Sequence, residues 1–396
     1  MRELEVLGNG HLKLDFAEWK EFFQQGMGEF ARHTLKQLMQ QALEAERDYH
    51  MQLDLYEHAP QSRIDYRNGY YLRDFATQFG LLRHLRMPRT RRGYRSELIP
   101  RYQRRPDAVN ELIRQAFLRG ISTRQVGEVL EPVLGEAYSA QTISNITRAL
   151  NAEADRFRQR PLADVYLYLF LDGVVLKMRD GAGIVKRRTI LVAYGITAAG
   201  KREVIAYQLA QGESEGSWVA FLQNLYLRGL EGRHLKLIAT DGGTGLRAAL
   251  PVVFPCVPVQ MCWAHKMRNI ADKVPRKDGS CVAQAASIYL AENKSKAQRA
   301  FRDWKQEWET RRPRAVACVE RDLDQLLHFF DLPEAHWKKV RTTNVIERAF
   351  REVRRRTRPI SSFTNSESCD RIVFGVISHL NRSWERKPLP EFTQNS

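Results

Sequence analysis

Residues 165–173 read Val165-Tyr166-Leu167-Tyr168-Leu169-Phe170-Leu171-Asp172-Gly173. The apolar run from Val165 to Leu171 is far short of the roughly 20 residues a membrane span needs, and it has the length of a buried strand. Residues 180–209 decide how that strand is used. Asp180-Gly181-Ala182-Gly183 is a turn signal, Arg188 to Thr197 a second strand, Ala198-Ala199-Gly200 another turn, and Glu203 to Leu209 a third strand. Asp172-Gly173 could itself be a two-residue hairpin turn. Placing the turn at Asp180-Gly181 instead makes the first strand long enough to pair with the second.

Beyond the third strand, Ser214 opens an amphipathic helix through Trp218, Phe221, Leu222 and Leu225. His234 to Thr240 is a fourth strand, a helix begins near Thr244, and Val257 to Met261 is a short fifth strand. Three antiparallel strands followed by helix, strand, helix, strand is the order of a ribonuclease H-like domain. The expected fold class is α/β, a mixed sheet with helices on both faces. Residues 280–338 lack strand patterning and carry Trp304, Trp308, Val316, Leu323, Leu326 and Leu327 at helical spacing, so an all-helical insertion is expected there. Residues 342–357 and 369–383 return as two helices, and Pro388 and Pro390 suggest a loose tail.

Upstream, Trp19, Phe22, Phe23, Met27 and Phe30, then Leu35, Leu38, Met39 and Leu43, recur at helical spacing, as a core or partner-facing stripe does. From Asn68-Gly69, a turn signal, the chain passes into short mixed segments around Pro88. Between Arg83 and Arg105 stand nine arginines against one acid, Glu97, so this stretch repels itself unless something neutralises it. Arg89, Arg91, Arg92 and Arg95 are candidate phosphate contacts, since neutralising phosphates releases counterions. Tyr94 and Tyr102 could stack on bases or simply anchor the segment. Residues 107–157 read as three short helices, Ala108 to Leu118, Thr123 to Leu130 after Ser122, and a longer one capped by Ser139. That is the layout of a helix-turn-helix, with Arg124, Gln141 and Ser144 available to DNA.

Three carboxylates stand out by position. Asp172 ends the apolar run, Asp241 ends the strand Leu237-Ile238-Ala239-Thr240, and Glu347 lies in the first turns of the helix Thr342-Thr343-Asn344-Val345-Ile346-Glu347-Arg348. Two aspartates at strand ends and one helical glutamate can converge on one edge of such a sheet. That cluster is too negative to stand alone and suits Mg²⁺, a hard cation that takes oxygen ligands. Two such ions about 4 Å apart can activate one oxygen and stabilise the other in a phosphodiester displacement. Each carboxylate also has an ordinary reading. Asp241-Gly242-Gly243 fits a strand-to-helix turn, and Asn344 with Glu347 fits a capping box. Neither a nucleotide cofactor nor a serine nucleophile is expected.

Cys262-Trp263-Ala264-His265 is half a zinc site by spacing, but Cys256 and Cys281 are loosely placed to complete one. A buried cysteine and a histidine beside the acidic site, or touching DNA, fits better, with Lys266, Arg268 and Asn269 suited to phosphate. Arg348, Arg351, Arg354, Arg355, Arg356 and Arg358 follow Glu347 with only Glu352 opposing, which reads as a DNA clamp, or as a solvated face with an Arg348–Glu352 pair. The whole chain of 396 residues carries 63 Lys+Arg against 46 Asp+Glu, a net +17 that points to a polyanionic partner. The five cysteines all lie beyond residue 255, which excludes a disulfide framework and favours a reducing compartment. With no apolar signal region after Met1, the expectation is a cytoplasmic, nucleoid-associated protein with no membrane partner.

Taken together, these residues resemble the Mutator-type transposases of bacterial insertion sequences. The resemblance runs through Arg67-Asn68-Gly69-Tyr70, Pro88-Arg89-Thr90-Arg91, Gly120-Ile121-Ser122-Thr123-Arg124, Arg160-Pro161-Leu162, Tyr168 to Gly173, Glu215-Gly216-Ser217-Trp218, Arg228-Gly229-Leu230 and Asp241 to Leu246. It continues through Gln260 to Asn269, similar to the family's Cys-x2-His signature, and Thr342 to Glu347, similar to its glutamate motif. Met261 stands where the family usually has arginine, and Gly243 where it often has histidine. The resemblance implies a DDE transposase in which Asp172, Asp241 and Glu347 bind two Mg²⁺ or Mn²⁺ ions. Water attacks at the element end and frees a 3′-OH, which then attacks target DNA. It also implies a homodimer on paired terminal inverted repeats, and a copy-out or circular intermediate.

The expected organisation is an N-terminal helical region (1–65) for dimerisation or DNA binding, an arginine-rich DNA-contact segment (66–106) and a helix-turn-helix-like domain (107–160). The catalytic core comes next in two parts (161–275 and 341–385) around the helical insertion (276–340), with a flexible tail (386–396). A stand-alone nuclease on the same fold and a DNA-binding regulator with an idle catalytic fold remain the alternatives.

Overall fold

A computed structural model describes residues 27–52, 65–118, 123–134, 138–179, 183–357, 363 and 365–393, with the side chains of residues 123, 124, 132–134, 356, 357 and 393 left aside. The apolar positions Trp19, Phe22 and Phe23, the Ser122 cap, the Asp180-Gly181 turn and Arg358 lie outside the described residues. The chain divides into two compact units, Met1–Thr147 and Arg148–Ser396.

In the first unit, helix α1 (Met27–His50) packs on an antiparallel hairpin of β1 (Arg67–Thr77) and β2 (Gly80–Thr90). Leu43 of the helix meets Phe75, Leu85, Met87 and Ile99 in a small core, whereas Leu38 faces solvent. The sequence placed a turn at Asn68-Gly69 and only short mixed segments after it. The reversal is instead at residues 78–79, closed by the Thr77–Gly80 pair. Asn68-Gly69 sits at a register shift within β1, with Gly69 at φ +70°, so a glycine–asparagine signal marks a bulge here and not a reversal. Glu46 ties the segment after β2 to α1, accepting hydrogen bonds from the Tyr94 hydroxyl (2.5 Å), Ser96 Oγ (2.6 Å) and the Glu97 backbone N–H (2.6 Å). Three helices complete the unit, α2 (Asp107–Leu118), α3 (Thr123–Leu134) and α4 (Ala140–Thr147). They bury Val109, Ile113, Val126 and Ile143, and Ser139 Oγ caps α4 by accepting from the Thr142 N–H at 3.2 Å. Gly127 allows the closest approach, since a Cβ there would meet the Tyr138 carbonyl oxygen.

The second unit opens with α5 (Ala149–Gln159), so the expected long helix after Ser139 is two helices. Its centre is a five-stranded mixed sheet of order β5-β4-β3-β6-β7. The strands are β3 (Tyr166–Arg179), β4 (Val185–Thr197), β5 (Arg202–Ala210), β6 (Leu237–Thr240) and β7 (Val259–Met261). β3, β4 and β5 pair antiparallel, while β6 and β7 run parallel to β3. Alternation divides β3 between two layers. Leu169 and Leu171 pack with Leu191, Ala193 and Ile205 under Trp218, Phe221, Leu222 and Leu225 of α6 (Glu215–Leu227) and Leu246, Ala249 and Leu250 of α7 (Thr244–Val253). Phe170 on the opposite face meets Tyr194, whose ring abuts Trp384 of α15 (Ser366–Glu385) edge-on.

β3 is longer than the apolar run that announces it. It continues to Arg179, so Asp172 lies inside a strand and not at its end. The cause is the partner: β4 stays paired through Arg179–Val185, whereas the parallel pairing with β6 stops at Leu171–Thr240.

After β7 come α8 (Trp263–Ala271), α9 (Gly279–Tyr289), α10 (Lys294–Trp308), α11 (Pro313–Glu320), α12 (Leu323–Leu327) and α13 (Glu334–Val340), with no strand among residues 262–343. α14 (Asn344–Thr357) precedes α15, and α16 (Pro390–Thr393) is the last element described. The tail expected to be loose is held through that helix. The Leu389 N–H donates to the Gly200 carbonyl at 2.9 Å, and the buried Phe392 stacks on His336. All five cysteines are free thiols. No described helix is long and apolar enough to cross a membrane.

Candidate active site

The register of β3 and β6 places the first two candidate carboxylates. Leu171 and Thr240 are the last parallel pair, so Asp172 and Asp241 are the next residues along two neighbouring strands. Asp172 is 5% exposed. Its carboxyl pKa is pushed up to about 7, first by burial and then by the charge of Asp241, with Glu347 adding to the push and His265 and Thr343 opposing it. Asp241 is held by its own loop, where Oδ1 accepts from the Gly243 N–H at 3.0 Å. Gly242 sits at φ +86°, and a Cβ there would also strike the Met261 side chain, so this turn requires glycine.

Glu347 is brought in by a clamp between α8 and the start of α14. The Trp263 N–H donates to the Arg341 carbonyl at 3.0 Å, and the Thr343 N–H donates to Cys262 Sγ at 3.2 Å. Both Cys262 and Thr343 are buried. Asn344 is the first residue of the helix, and the Glu347 carboxylate is engaged by a neighbouring helix. Its two oxygens accept from Arg268 Nη1 (2.6 Å) and Nη2 (2.9 Å), and His265 Nε2 lies 3.5 Å from Oε1. The capping-box reading of Asn344 and Glu347 is therefore corrected. Glu347 is held below the usual carboxylate range by Arg268, an effect that outweighs its own burial. His265 is raised to about 9, chiefly through its hydrogen bond with Cys262, with Asp172 and Asp241 contributing charge. Burial opposes ionisation of the Cys262 thiol, but hydrogen bonds from His265 and Thr343 outweigh it and lower its pKa. Cys262 and His265 thus pair beside the carboxylates.

Lys266 departs from expectation. It is 3% exposed, and Nζ donates to Asp322 Oδ2 and to the Cys318 carbonyl at 3.0 Å. It is a structural cation under the helices, out of reach of a phosphate. Arg268 keeps an exposed guanidinium but spends it on Glu347.

One acidic residue at this site was not singled out from sequence. Glu213 follows β5 and precedes Ser214, whose hydroxyl caps α6 by accepting from the Ser217 N–H at 3.2 Å. A point 3.5 Å from Asp241 Oδ1 and 3.7 Å from Glu213 Oε2, where a Cβ on Gly243 would fall, shows how near the two carboxylates come. Burial and then the Asp241 charge push Glu213 upward.

The donor set is all carboxylate oxygen, which suits a hard divalent cation. A buried aspartate with a raised pKa and no bonded cation is the electrostatic signature that such an ion relieves. Among the described residues no three His, Cys, Asp or Glu groups converge tightly enough to form a finished cage. Mg²⁺ does not demand one, since it usually keeps several waters and takes one or two carboxylates along with substrate phosphate. By that measure Asp172 and Asp241 fit, and Glu347 fits once released from Arg268.

The candidate DNA contacts fall in three places. Arg89, Arg91, Arg92 and Arg95 are exposed on β2 and the loop after it. The Arg89 and Arg91 guanidiniums lie over the rings of Tyr71 and Tyr66 at 5.7 and 5.3 Å. Tyr94 anchors to Glu46, while Tyr102 is 84% exposed. On α4, Gln141 is exposed and donates to Asn145 at 3.0 Å, and Ser144 is half-buried; the Arg124 side chain lies outside the described residues. On α14, Ile346, Ala349, Phe350 and Val353 are buried, leaving Arg348, Arg351, Arg354 and Arg355 exposed. Glu352 accepts from Arg355 at 3.1 Å.

A mixed sheet with two aspartates on neighbouring strands and a glutamate on a late helix defines a class of acidic-site α/β proteins. Comparison with known proteins gives the particular family. The family described as "Transposase, Mutator family" matches residues 9–387. The transposase for insertion sequence element ISRM5 of Rhizobium meliloti is 36% identical, covering 89% of this chain and 88% of that one. The transposase for IS905 of Lactococcus lactis is 33% identical over 90% of both chains, and that for IS256 in transposon Tn4001 of Staphylococcus aureus is 30% identical over 89% and 90%. The chain belongs to the Mutator family of transposases.

Proposed function

We propose that this transposase is a DDE enzyme with a ribonuclease H-like core, in which Asp172, Asp241 and Glu347 hold two Mg²⁺ or Mn²⁺ ions for DNA cleavage and strand transfer. The observation that carries this reading is the β3–β6 register, which sets Asp172 and Asp241 side by side, with Glu347 electrostatically coupled to Asp172. Bound ions would supply charge stabilisation to the attacking and leaving oxygens of a phosphodiester. The chain's own residues do the rest. Asp172 in β3 and Asp241 just after β6 would hold the ions from neighbouring strands, and the clamp from Cys262 to Thr343 holds Glu347 at the third corner. Arg268 exchanges Glu347 for a DNA phosphate, and His265, positively charged near neutral pH, faces the same anion. Water attacks the phosphodiester at the element end and the strand leaves as a free 3′-OH. That hydroxyl then displaces a 3′ oxygen in target DNA, so one phosphodiester forms as another breaks.

On this reading residues 161–275 and 341–385 form the catalytic core, and 276–340 are an all-helical insertion. The hairpin arginines and α2–α4 recognise the terminal inverted repeats of double-stranded DNA, two copies of the chain act together on paired ends, and transfer proceeds through a circular, copy-out intermediate.

The test uses labelled element-end DNA with the full chain and Mg²⁺ or Mn²⁺, resolved on a denaturing gel. Joined products longer than the substrate are expected, and they disappear with Asp172→Ala or Glu347→Gln while DNA binding persists. Single-strand joining supports the circular route, and paired breaks support cut-and-paste. Nicks without joined product would make the chain a nuclease, and binding without any metal-dependent change would make it a regulator.

A further inference from the structure

We propose that the outer end of β3 and β4 is a DNA-docking ribbon, whose solvent face seats in the major groove of duplex DNA beyond the reacting phosphodiester. This rests on the reading of the chain as an enzyme acting on DNA and adds a surface that reading does not use.

The sheet narrows to two strands at this end. β6 leaves β3 after the Leu171–Thr240 pair, and β5 leaves β4 at the Thr189–Ala210 pair. β3 and β4 stay paired beyond both, through Leu176–Arg188, Lys177–Arg187, Met178–Lys186 and Arg179–Val185. At about 3.4 Å a residue this ribbon is about 14 Å long, and the major groove of B-DNA, about 12 Å wide, admits a two-stranded ribbon. Its faces differ. Alternation puts Leu176 and Met178 on the face of Asp172, and both are buried. Phe363 bridges to Met178 on the edge that β6 has left, its N–H donating to the Lys177 carbonyl at 3.1 Å and its carbonyl accepting from the Arg179 N–H at 2.8 Å. This backing orders the ribbon before DNA arrives, which lowers the cost of binding. The other face carries Val175, Lys177, Arg179, Val185 and Arg187, all exposed.

Charge on that face is unbalanced. Lys177 stands directly opposite Arg187, and Arg179 is diagonal to Arg187. Like charges directly opposite destabilise a strand pair, and among the described residues no acid pairs with Lys177, Arg179 or Arg187. Residues 175–189 hold five Lys+Arg against one acid, Asp180, which lies outside the described residues. A polyanion lying on the face removes that repulsion. Val175 and Val185, 47% and 45% exposed, flank the cations and offer the apolar contact that a thymine methyl takes in the major groove. At the foot of the ribbon the Glu213 side chain fills the space over Gly173, and the cations begin beyond Val175. Lys177 lies about 17 Å along β3 from Asp172, a span of about five base-pair steps. The cations face away from Asp172, so the ribbon holds DNA beyond the reacting bond and not that bond itself.

The experiment uses the full chain on element-end DNA that continues as duplex past the element, in EDTA so that no strand is cut. Two readouts are taken, affinity across a salt series and protection of guanine N7, a major-groove atom, from dimethyl sulfate. Wild type is compared with a ribbon variant, Lys177→Ala with Arg179→Ala and Arg187→Ala. The control variant removes exposed arginines from the helical region, Arg299→Ala with Arg302→Ala and Arg311→Ala. The ribbon variant is expected to lower the slope of log affinity against log salt by up to about 2–3, since each lost phosphate contact removes about 0.9. It should also lose N7 protection in the DNA past the element, while the control keeps that protection. Lys177→Glu, which sets an ion pair across the ribbon with Arg187, should melt no lower than wild type and still bind DNA more weakly, a combination that a merely structural role would not give. Tight binding with unchanged slope and N7 protection in the ribbon variant overturns the ribbon and leaves the DNA reading standing. Weaker binding with N7 protection intact overturns the groove seating, and equal loss in the control reduces the ribbon to general charge. No DNA binding by wild type overturns both readings.

Discussion

Lys266 shows how much a single residue's reading depends on what lies across from it. In sequence it follows Cys262-Trp263-Ala264-His265 and looks like a phosphate contact. In the fold its ammonium is buried against Asp322, whose side chain is fully inaccessible and also accepts from Arg247 (2.9 Å) and Arg321 (3.1 Å). Burial opposes ionisation of Asp322, but the hydrogen bonds from Arg321 and Lys266 outweigh it and hold the pKa at about 2. Removing one member of a buried pair leaves the other uncompensated, at a cost of about 3–5 kcal/mol. Asp322→Asn is therefore expected to lower unfolding stability by that order at pH 7, measured by urea denaturation. The pH dependence has a definite sign. A carboxylate whose folded pKa lies below its unfolded value of about 3.9 contributes stability above that value and loses it as the pH falls through the folded pKa. The gap between wild type and Asp322→Asn should be full above pH 5 and shrink between pH 4 and 2. A gap that stays constant across that range would show that Asp322 contributes by packing alone.

At the scale of elements, α14 carries two separate jobs on two faces. Ile346, Ala349, Phe350 and Val353 are buried, while Arg348, Arg351, Arg354 and Arg355 are exposed. Phe350→Ala is expected to cost about 3–5 kcal/mol, as truncation of a fully buried aromatic does, with loss of activity following from loss of fold. Arg351→Ala should change stability by less than about 0.5 kcal/mol, while weakening DNA binding and lowering the salt slope by nearly one. Thermal melts alongside filter binding separate the two. This helix was legible because its apolar residues keep a helical period through the arginines. The central sheet was legible for a similar reason, since Leu169, Leu171, Leu191 and Ile238 sit in apolar runs that only a buried strand explains. The β1–β2 hairpin was not. Arg83, Arg86, Arg89 and Pro88 interrupt its alternation, a register shift sits near Asp74, and its best turn signal marks a bulge. Glu213 escaped for another reason: an acid just before a helix has an ordinary explanation in the helix dipole, and only the missing Cβ of Gly173 reveals where its carboxylate goes.

For the molecule as a whole, the net charge of +17 is unevenly held. Residues 1–147 contain 21 Lys+Arg and 19 Asp+Glu, whereas residues 148–396 contain 42 and 27, so the two units carry about +2 and +15. The unit expected to recognise element ends is nearly neutral overall, and its positive charge is local to the hairpin and the loop after it. The unit with the acidic candidate site is the strongly basic one, a balance that would attract a polyanion toward it on the proposed reading. This division predicts different phenotypes for two sets of substitutions in the full chain. Replacing Arg348, Arg351, Arg354 and Arg355 with alanine should weaken binding to any DNA about equally and lower the slope of log affinity against log salt by up to about 3–4, since each lost phosphate contact removes about 0.9. Replacing Arg89, Arg91, Arg92 and Arg95 should lower the slope for element-end DNA by a similar amount but that for unrelated DNA by much less, because recognition places these groups and bulk charge does not. Affinities for both DNAs measured across a salt series decide the matter. Equal loss on both DNAs from the hairpin set would remove the first unit from end recognition and leave it as a further patch of general charge.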